Sequence, residues 1–359
     1  MRIGLLSSVG MTHDAFFPEI AAELRRRSHY VVHAAGTSGQ HVEVSTISGL
    51  TRRPGVGTLR AAGALRKWVD ENELSVVVSS TATASILARQ AIVNCPVIYF
   101  CHGLHWQSSN RPAALPWVLA ERYVLKKTAG ILVLNREDEE WFRAHAVHTP
   151  MVRLRFGVGV DPTSYPRSPL PGGKLKLCWI GEFSQRKNPL DAVDVASRLR
   201  DRGVEFSLAM LGDGALQAAT KRKVHDLELD EKVELPGTIP AAPVLTRSHA
   251  LVHTARWEGL PRVFLEALAV GRPIFSYDIK GARDLPNVTL SAPGSPALMA
   301  DKIINPAHLE RTPAAYPTLD DLSFVEAAAQ IELMAARASS QPVDERGDRR
   351  SIGMRGYRD

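Results

Sequence analysis

The chain predicts an α/β protein made of two successive doubly wound parallel sheets, and three observations carry that prediction. Short, nearly continuous apolar runs alternate with longer segments of three-and-four apolar spacing along the chain. The length, 359 residues, suits two domains at about 150 residues each. A stretch at 161–174, DPTSYPRSPLPGGK, has four prolines and two glycines and no periodicity, and the strand-first pattern restarts after it.

In order, residues 3–7, 76–79, 97–101 and 131–134 of the first half read as buried strands, and so do 176–180, 207–211, 250–253 and 273–276 of the second. Each is four or five residues, mostly apolar and partly β-branched, as expected of strands covered on both faces. Residues 16–27, 59–71, 116–127 and 189–201 carry the helical spacing between them. A further helix starts near Pro261 and is closed by Gly271 and Pro273. The resulting division is 1–165, 166–338 with a closing helix at about 322–338, and a polar tail at 339–359 whose composition predicts disorder.

Composition narrows the function classes. With 45% hydrophobic and 23% charged residues the chain is globular rather than disordered. Cys95, Cys101 and Cys178 are too few and too irregularly spaced for a disulfide framework or a zinc site, which fits a reducing cytoplasm. The opening apolar run is shorter than a signal-peptide core, and no run approaches the roughly 18 apolar residues of a membrane span. The net charge of +6 sits in the first half: residues 1–170 hold 19 Lys+Arg against 13 Asp+Glu.

Four groups of residues carry candidate chemistry. In the segment from His253 to Pro273, Glu258 falls in the loop before a helix and Glu266 about two turns inside it. The N–H groups of Arg262 and Val263 open that helix, where the dipole favours an anion such as a diphosphate. One carboxylate beside an anion site and one farther in suit two sets of sugar hydroxyls. The same spacing also suits a capping glutamate and a solvated helix glutamate. Second, Gly181 follows a strand and precedes Arg186, Lys187 and a proline-started helix, a plausible phosphate cradle. Third, Gly212, Asp213 and Gly214 form a turn at a strand's carboxyl end, the ligand side of doubly wound sheets. Fourth, His102 follows the strand 97–101, with His105 three residues on. No Walker loop, dinucleotide fingerprint, nucleophile elbow, Asp-x-Asp or metal-spaced histidine pair occurs.

Taken in this order, the motifs resemble the family 4 retaining glycosyltransferases over residues 1 to about 335. Glu258-Gly259-Leu260-Pro-Arg262-Val263-Phe-Leu-Glu266 is similar to that family's paired-glutamate motif, and Gly181 through Lys187-Asn-Pro to its diphosphate loop. The runs 102–106, 129–138 and 157–161 resemble the branch that builds capsular polysaccharide, exopolysaccharide and O-antigen. The resemblance implies the GT-B architecture, two facing Rossmann-like domains with a cleft between them. It implies a metal-independent hexosyltransferase that needs no cofactor, uses a UDP- or GDP-linked sugar and retains anomeric configuration. By the same resemblance Glu258 would meet the donor sugar, Glu266 the ribose, and Lys187 and Arg186 the diphosphate. His102 would face the transferred sugar, with Gly10, His13 and His105 on the acceptor side. Two departures stand out: Glu182 occupies the place of a common arginine, for which Arg186 would substitute, and residues 7–13 lack the usual double glycine.

The basic first half then fits a polyprenyl-diphosphate-linked glycan acceptor and an anionic membrane surface better than nucleic acid, for which no motif exists. Its cations interleave with aromatics in Arg25–Arg26–Arg27, Arg52–Arg53, the helix with Arg60, Arg66, Lys67 and Trp68, and the helix with Trp117, Arg122, Tyr123, Lys126 and Lys127. The expected location is the cytoplasm, peripheral on the inner face of the cell membrane. The alternative is another GT-B activity, a nucleotide-sugar epimerase or a transferase to a soluble acceptor.

Overall fold

The computed structural model describes residues 1–340 apart from 54, 56, 105–113 and 310–315. His105 and the tail from 341 lie outside the described residues. The chain divides into two units, residues 1–154 with 324–359, and residues 155–323.

The first unit holds a seven-stranded parallel sheet in the order β3-β2-β1-β4-β5-β6-β7. Its strands are β1 (Arg2–Leu6), β2 (Tyr30–Ala35), β3 (Ser45–Thr46), β4 (Val76–Ser80), β5 (Val97–Cys101), β6 (Gly130–Val133) and β7 (Met151–Arg153). The helices are α1 (Gly10–Phe16), α2 (Pro18–Arg26), α3 (Thr58–Glu71), α4 (Ala82–Ala91), α5 (Leu115–Val124) and α6 (Arg136–His145). The second unit repeats the plan with six parallel strands, β10-β9-β8-β11-β12-β13. These are β8 (Leu175–Ile180), β9 (Phe206–Leu211), β10 (Val233–Gly237), β11 (Ala250–His253), β12 (Ile274–Tyr277) and β13 (Val288–Ser291). Around them lie α7 (Pro189–Asp201), α8 (Gln217–Asp226), α9 (Ala241–Arg247), α10 (Arg262–Val270), α11 (Lys280–Arg283), α12 (Pro296–Ile303) and α13 (Pro306–Leu309). In both sheets the strand order reverses beside the unit's first strand, at β1/β4 and at β8/β11. Ligands of doubly wound sheets collect at such reversals.

Every strand expected from sequence is present, and all are interior to their sheets. The strands left out are the four edges, β3, β7, β10 and β13, together with β2 beside an edge. Their residues show why: β3 is exposed throughout, β10 alternates exposed with half-buried positions after its first residue, β13 alternates half-buried with buried ones, and Tyr30 opens β2 in solvent. An edge strand needs no continuous apolar run.

Three further expectations are corrected. The single helix at 16–27 is two, because Pro18 starts α2 at a position where its missing N–H costs nothing. The domain boundary lies at 154/155 rather than 165/166, because the proline-rich segment is bound to the second unit. Arg167 donates to Pro317 O, and the fully buried Arg272 donates to Ser168 O, Ser168 Oγ and Pro169 O. Arg272 also takes up Leu245 O, Thr246 O and Val270 O, the carbonyls that end α9 and α10. Finally, the closing helix, α14 (Phe324–Ser339), belongs to the first unit rather than the second. Gly130 at the start of β6 leaves room for its Met334, and its Glu332 accepts from Arg27 Nη1 (3.0 Å) and pairs with His29 Nε2 (2.7 Å).

Those contacts also revise the basic face. Arg26 and Arg27 share the buried Glu23, Arg26 bidentately at 2.7 Å, so they tie α2 to itself and to α14. Trp68 is a core residue against Gly4. Arg89, in the last turn of α4, is fully buried with Glu121 of α5 and stacks on Tyr99. Arg52, Arg53, Arg60, Arg66, Lys67, Arg122 and Lys126 remain on the surface.

The two arginine hydrogen bonds hold the Glu23 carboxyl down at about 2, from an ordinary 4.5. A depressed carboxyl stabilises the fold above its unfolded-state value and loses that contribution as pH falls through the folded one. Wild-type stability in urea should therefore drop as pH is lowered from 4.5 towards 2. Glu23→Gln should be less stable at neutral pH and show a flatter fall over that window.

Candidate functional site

The candidate site is built at the β8/β11 reversal from three loops at the carboxyl edge of the second sheet. The first, after β8, runs from Gly181 to Asn188. It is held against the second, after β9, by Gly181 N to Leu211 O (3.0 Å), Phe183 N to Asp213 O (2.8 Å) and Leu216 N to Phe183 O (2.7 Å). Phe183, fully buried, anchors the pair of loops in the core against Trp179. The glycines are needed for this approach. Gly212 sits at φ +126° with a hypothetical Cβ overlapping Gly181 O, and Gly214 at φ +148° with its Cβ 2.8 Å from Phe183 O. Asp213 is exposed and its carboxylate accepts from Gly214 N, which makes it a turn former here.

The third loop joins β11 to α10. Thr254 Oγ1 accepts from Trp179 Nε1 (3.1 Å) and donates to Asn188 O (2.8 Å), and Arg256 N donates to Arg186 O (2.9 Å). Asn188, at the residue before α7, adopts the left-handed conformation, which asparagine tolerates, and makes no side-chain capping bond to the helix. Farther along, Gly259 and Leu260 are wedged between two glycines. A Cβ on Gly157 would stand 2.7 Å from Leu260 Cδ2, and one on Gly281 would overlap Gly259 O. Pro261, extended, precedes α10 and leaves its first turn, with the N–H groups of Arg262 and Val263, at the loop.

This scaffold brings Glu258 between Lys187 and Arg186. Its Oε1 lies 2.7 Å from Lys187 Nζ and 2.6 Å from Arg186 Nη1. Lys187 passes alongside Gly181, whose Cβ would lie 3.4 Å from Lys187 Cδ. Arg186 also reaches Glu182 at 3.9 Å, a weaker contact between more exposed groups. Glu258 therefore does not cap α10, which Pro261 precedes without any side-chain hydrogen bond. Glu266 is not a solvated helix residue either: it is 9% exposed and lies 3.5 Å from Arg262 Nε. One carboxylate shared by two cations leaves positive charge over, which an anion can use.

Two residues that the motifs did not single out belong to this neighbourhood. Thr254 positions the loop as described. His253, the last residue of β11, is buried edge-on to Phe264, and neither ring nitrogen has a partner among the described residues. Burial, then the nearby Lys187 and Arg186, hold its pKa well below the ordinary imidazole value, so the ring is neutral. A polar residue ending an otherwise apolar strand was the available signal for both.

The remaining candidates lie in the first unit. His102 follows β5 in an aromatic cage, 4.4 Å from Phe100 and 4.8 Å from Phe16 between ring centroids. Its ring nitrogens have no partner among the described residues, and burial lowers its pKa to about 4. Leu104 N, two residues on, is held by Asp138, and Asn135 caps the helix that carries it. Gly10 and His13 stand on α1 rather than in a loop. Gly10 is required because a Cβ would run into the Ser38 backbone. His13 is fully buried, with Nε2 3.0 Å from Ala34 O and Nδ1 3.0 Å from His33 Nδ1. Burial lowers these two histidines to about 4 and about 3. A carbonyl only accepts, so His13 Nε2 carries the proton and its Nδ1 accepts from His33. With both nitrogens used internally, His13 is a packing residue and not an acceptor contact.

Comparison with known proteins agrees with this plan. A family model described as glycosyl transferases group 1 matches residues 161–313, and one described as a glycosyl transferase 4-like domain matches residues 14–157. The putative glycosyltransferase EpsD of Bacillus subtilis (strain 168) is 24% identical over 242 residues, 62% of this chain and 63% of that protein. The UDP-Gal:alpha-D-GlcNAc-diphosphoundecaprenol alpha-1,3-galactosyltransferase of Escherichia coli is 26% identical over 238 residues, 60% of this chain and 61% of that protein. The chain thus spans a little over three-fifths of these relatives. The crystal structure of Anabaena Alr3699/HepE in complex with UDP and glucose superposes with a TM-score of 0.72 at 16% identity, over 94% of this chain and 99% of that one. That similarity establishes the GT-B fold.

Gly212→Ala should separate the loops after β8 and β9, since the substitution is both overlapping and strained. Thermal melting should fall, and stabilisation by added UDP should be lost in the same variant. Gly172→Ala, at a position with open space around it, should leave both readings at the wild-type level.

Proposed function

The chain belongs to the family 4 glycosyltransferases, and on that premise we propose that it moves a sugar, with retention of anomeric configuration, from a nucleotide-diphosphate donor to a lipid-linked glycan. The observation that carries the reading is the Glu258 carboxylate held between Lys187 and Arg186 beside the first turn of α10. In the reaction the bond between the anomeric carbon and the diphosphate oxygen breaks and its electron pair leaves with the diphosphate, while an acceptor hydroxyl oxygen bonds to that carbon and its proton passes to the leaving phosphate. Lys187, Arg186 and the N–H groups of Arg262 and Val263 are the groups that take up this charge.

The donor displaces Glu258 from its cations. The phosphate oxygens replace one carboxylate on Lys187 and Arg186, and Glu258 is released to accept from hydroxyls of the donor sugar. Glu266, buried one turn deeper in α10, is suited to the ribose hydroxyls. His102, neutral and with no ring-nitrogen partner among the described residues, offers a ring N–H to the transferred sugar. The acceptor reading draws on the surplus of positive charge in the first unit and on the E. coli relative, named for a diphosphoundecaprenol-linked substrate. It goes with a position on the inner face of the cell membrane; no helix among the described residues is long and apolar enough to cross one.

Lys187→Ala and Glu258→Ala should each lower the rate of transfer from a nucleotide sugar by a factor of about 10²–10³, the usual effect of removing one such charge contact. The far-ultraviolet circular dichroism should not change. Lys187→Ala should also weaken UDP binding, whereas Glu258→Ala, which removes the competing carboxylate, should not. Full activity in both variants would sink the assignment of this site.

A further inference from the structure

A groove of about 350 Å³ lies in the first unit between α3, α4 and α5, and none of the chemistry above uses it. Its walls are apolar: Ala62 of α3, Ile86, Leu87 and Ala91 of α4, and Trp117 of α5. On α3 the lining runs from Thr58 to Arg66 and on α4 from Thr83 to Ala91, a rise of eight residue steps in each case. At 1.5 Å per residue the groove is about 12 Å long. Both helices begin at the carboxyl edge of the sheet, so the Thr58/Thr83 end opens where a doubly wound unit presents its ligands. Thr83 Oγ1 donates to Arg52 O there (2.9 Å), which sets the Arg52–Arg53 backbone at that end. Arg66 stands at the other, its Nε on Ala91 O (2.7 Å). No acidic side chain pairs with Arg52, Arg53, Arg60 or Arg66 among the described residues. On α5, Leu115, Leu119 and Tyr123 are 59%, 55% and 66% exposed. Spaced by four, they form one apolar stripe on a helix that also carries the exposed Arg122.

We propose that this groove holds the hydrocarbon chain of the lipid acceptor, next to its diphosphate, with the diphosphate at the Arg52–Arg53 end. The proposal rests on the lipid-linked acceptor of the preceding section and gives that acceptor a place. An apolar trough with, at both ends, cations that no acidic side chain among the described residues neutralises matches an amphiphile whose one polar group is an anion. A soluble glycan would leave the trough unfilled and its apolar walls in water. The α5 stripe supplies the contact with the bilayer from which such a chain is drawn.

The test titrates the full chain, saturated with UDP to fill the donor site, with farnesyl diphosphate as a short isoprenoid probe. Binding should be at least tenfold tighter than that of inorganic diphosphate. Ala62→Trp and Gln90→Trp, which fill the groove from two helices, should each weaken it at least tenfold while UDP affinity stays within twofold. Gln90 is half-buried, so its variant keeps the test valid if Ala62→Trp fails to fold. Three results would overturn the groove assignment: a probe no tighter than inorganic diphosphate, a probe displaced by UDP, or a probe indifferent to both substitutions. A parallel arm uses vesicles of phosphatidylcholine with phosphatidylglycerol. If the two tryptophans abolish vesicle binding but spare the isoprenoid probe, the occupant is a phospholipid and the proposal falls. The two functional readings fail separately. Groove binding without transfer from any nucleotide sugar refutes the transferase assignment, and transfer to soluble glycans with no response to the probe refutes the groove.

Discussion

The second unit is organised around one steric constraint, the approach of the loop after β8 to the loop after β9. Gly212 lies so close to the Gly181 carbonyl that no side chain fits between them. The three backbone hydrogen bonds across the gap are possible only at that separation. Because Phe183 is buried as part of the same contact, the loop gains a fixed floor, and Arg186 and Lys187 leave it in a defined direction. The β11–α10 loop is then fastened to the same backbone by Thr254 and by Arg256 N. The cation pair and Glu258 come from different strands, yet their separation is set by main-chain contacts that no surface side chain can loosen.

Such rigidity matters because the charges it holds are in tension. Lys187 and Glu258 are 13% and 10% exposed, and Arg186 is 39% exposed. Charges this poorly hydrated are costly unless paired, and removing one partner from such a pair costs more than the pair is worth. On the proposed function, Glu258 is a stand-in that keeps the cations satisfied without an anion. It does so incompletely, since only one carboxylate lies within hydrogen-bond distance of the two positive groups, and on the same proposal the donor's diphosphate completes the balance. Arg186 is exposed enough for water to screen its share, so Lys187 carries the stronger interaction. Glu182, lying near Arg186 at 3.9 Å, adds little to either state.

The sequence makes the interior of both sheets legible and the edges illegible, for one physical reason. Strands buried on both faces, such as β5 and β11, must be apolar throughout, and that leaves a readable run. β3 and β13 bury one face or none, so Ser45–Thr46 and Val288–Ser291 carry no comparable signal. Helix α14 was readable as a helix but not in its partner, because Glu332 meeting Arg27 and His29 across some 300 residues leaves no local trace. In the site, the glycines and the glutamate spacing were legible because backbone approach and helix geometry act locally. The roles of Thr254 and His253 depend on Trp179 and Phe264, which only the folded chain brings to them. His13 misled because a histidine near a glycine reads the same whether its nitrogens face a ligand or each other.

The same reasoning sorts the charge of the first unit. A net excess says nothing of which cations are available, and here several are already committed. Arg26 and Arg27 hold Glu23 and Glu332, while Arg89 is sealed with Glu121 at 2.5 Å between α4 and α5. That sealed pair is part of what shapes the groove, because it fixes α5 against α4 where Ile86, Leu87 and Trp117 form the walls. Replacing either member alone would leave an unpaired charge in the core and shift α5, so the apolar trough depends on a buried ion pair it does not contain. Of the arginines that remain on the surface, Arg66 lines the trough at one end and Arg52 stands at the other, where its carbonyl accepts from Thr83. Positive charge thus stands at both ends of the apolar surface, and an anionic amphiphile is the chemistry that uses both.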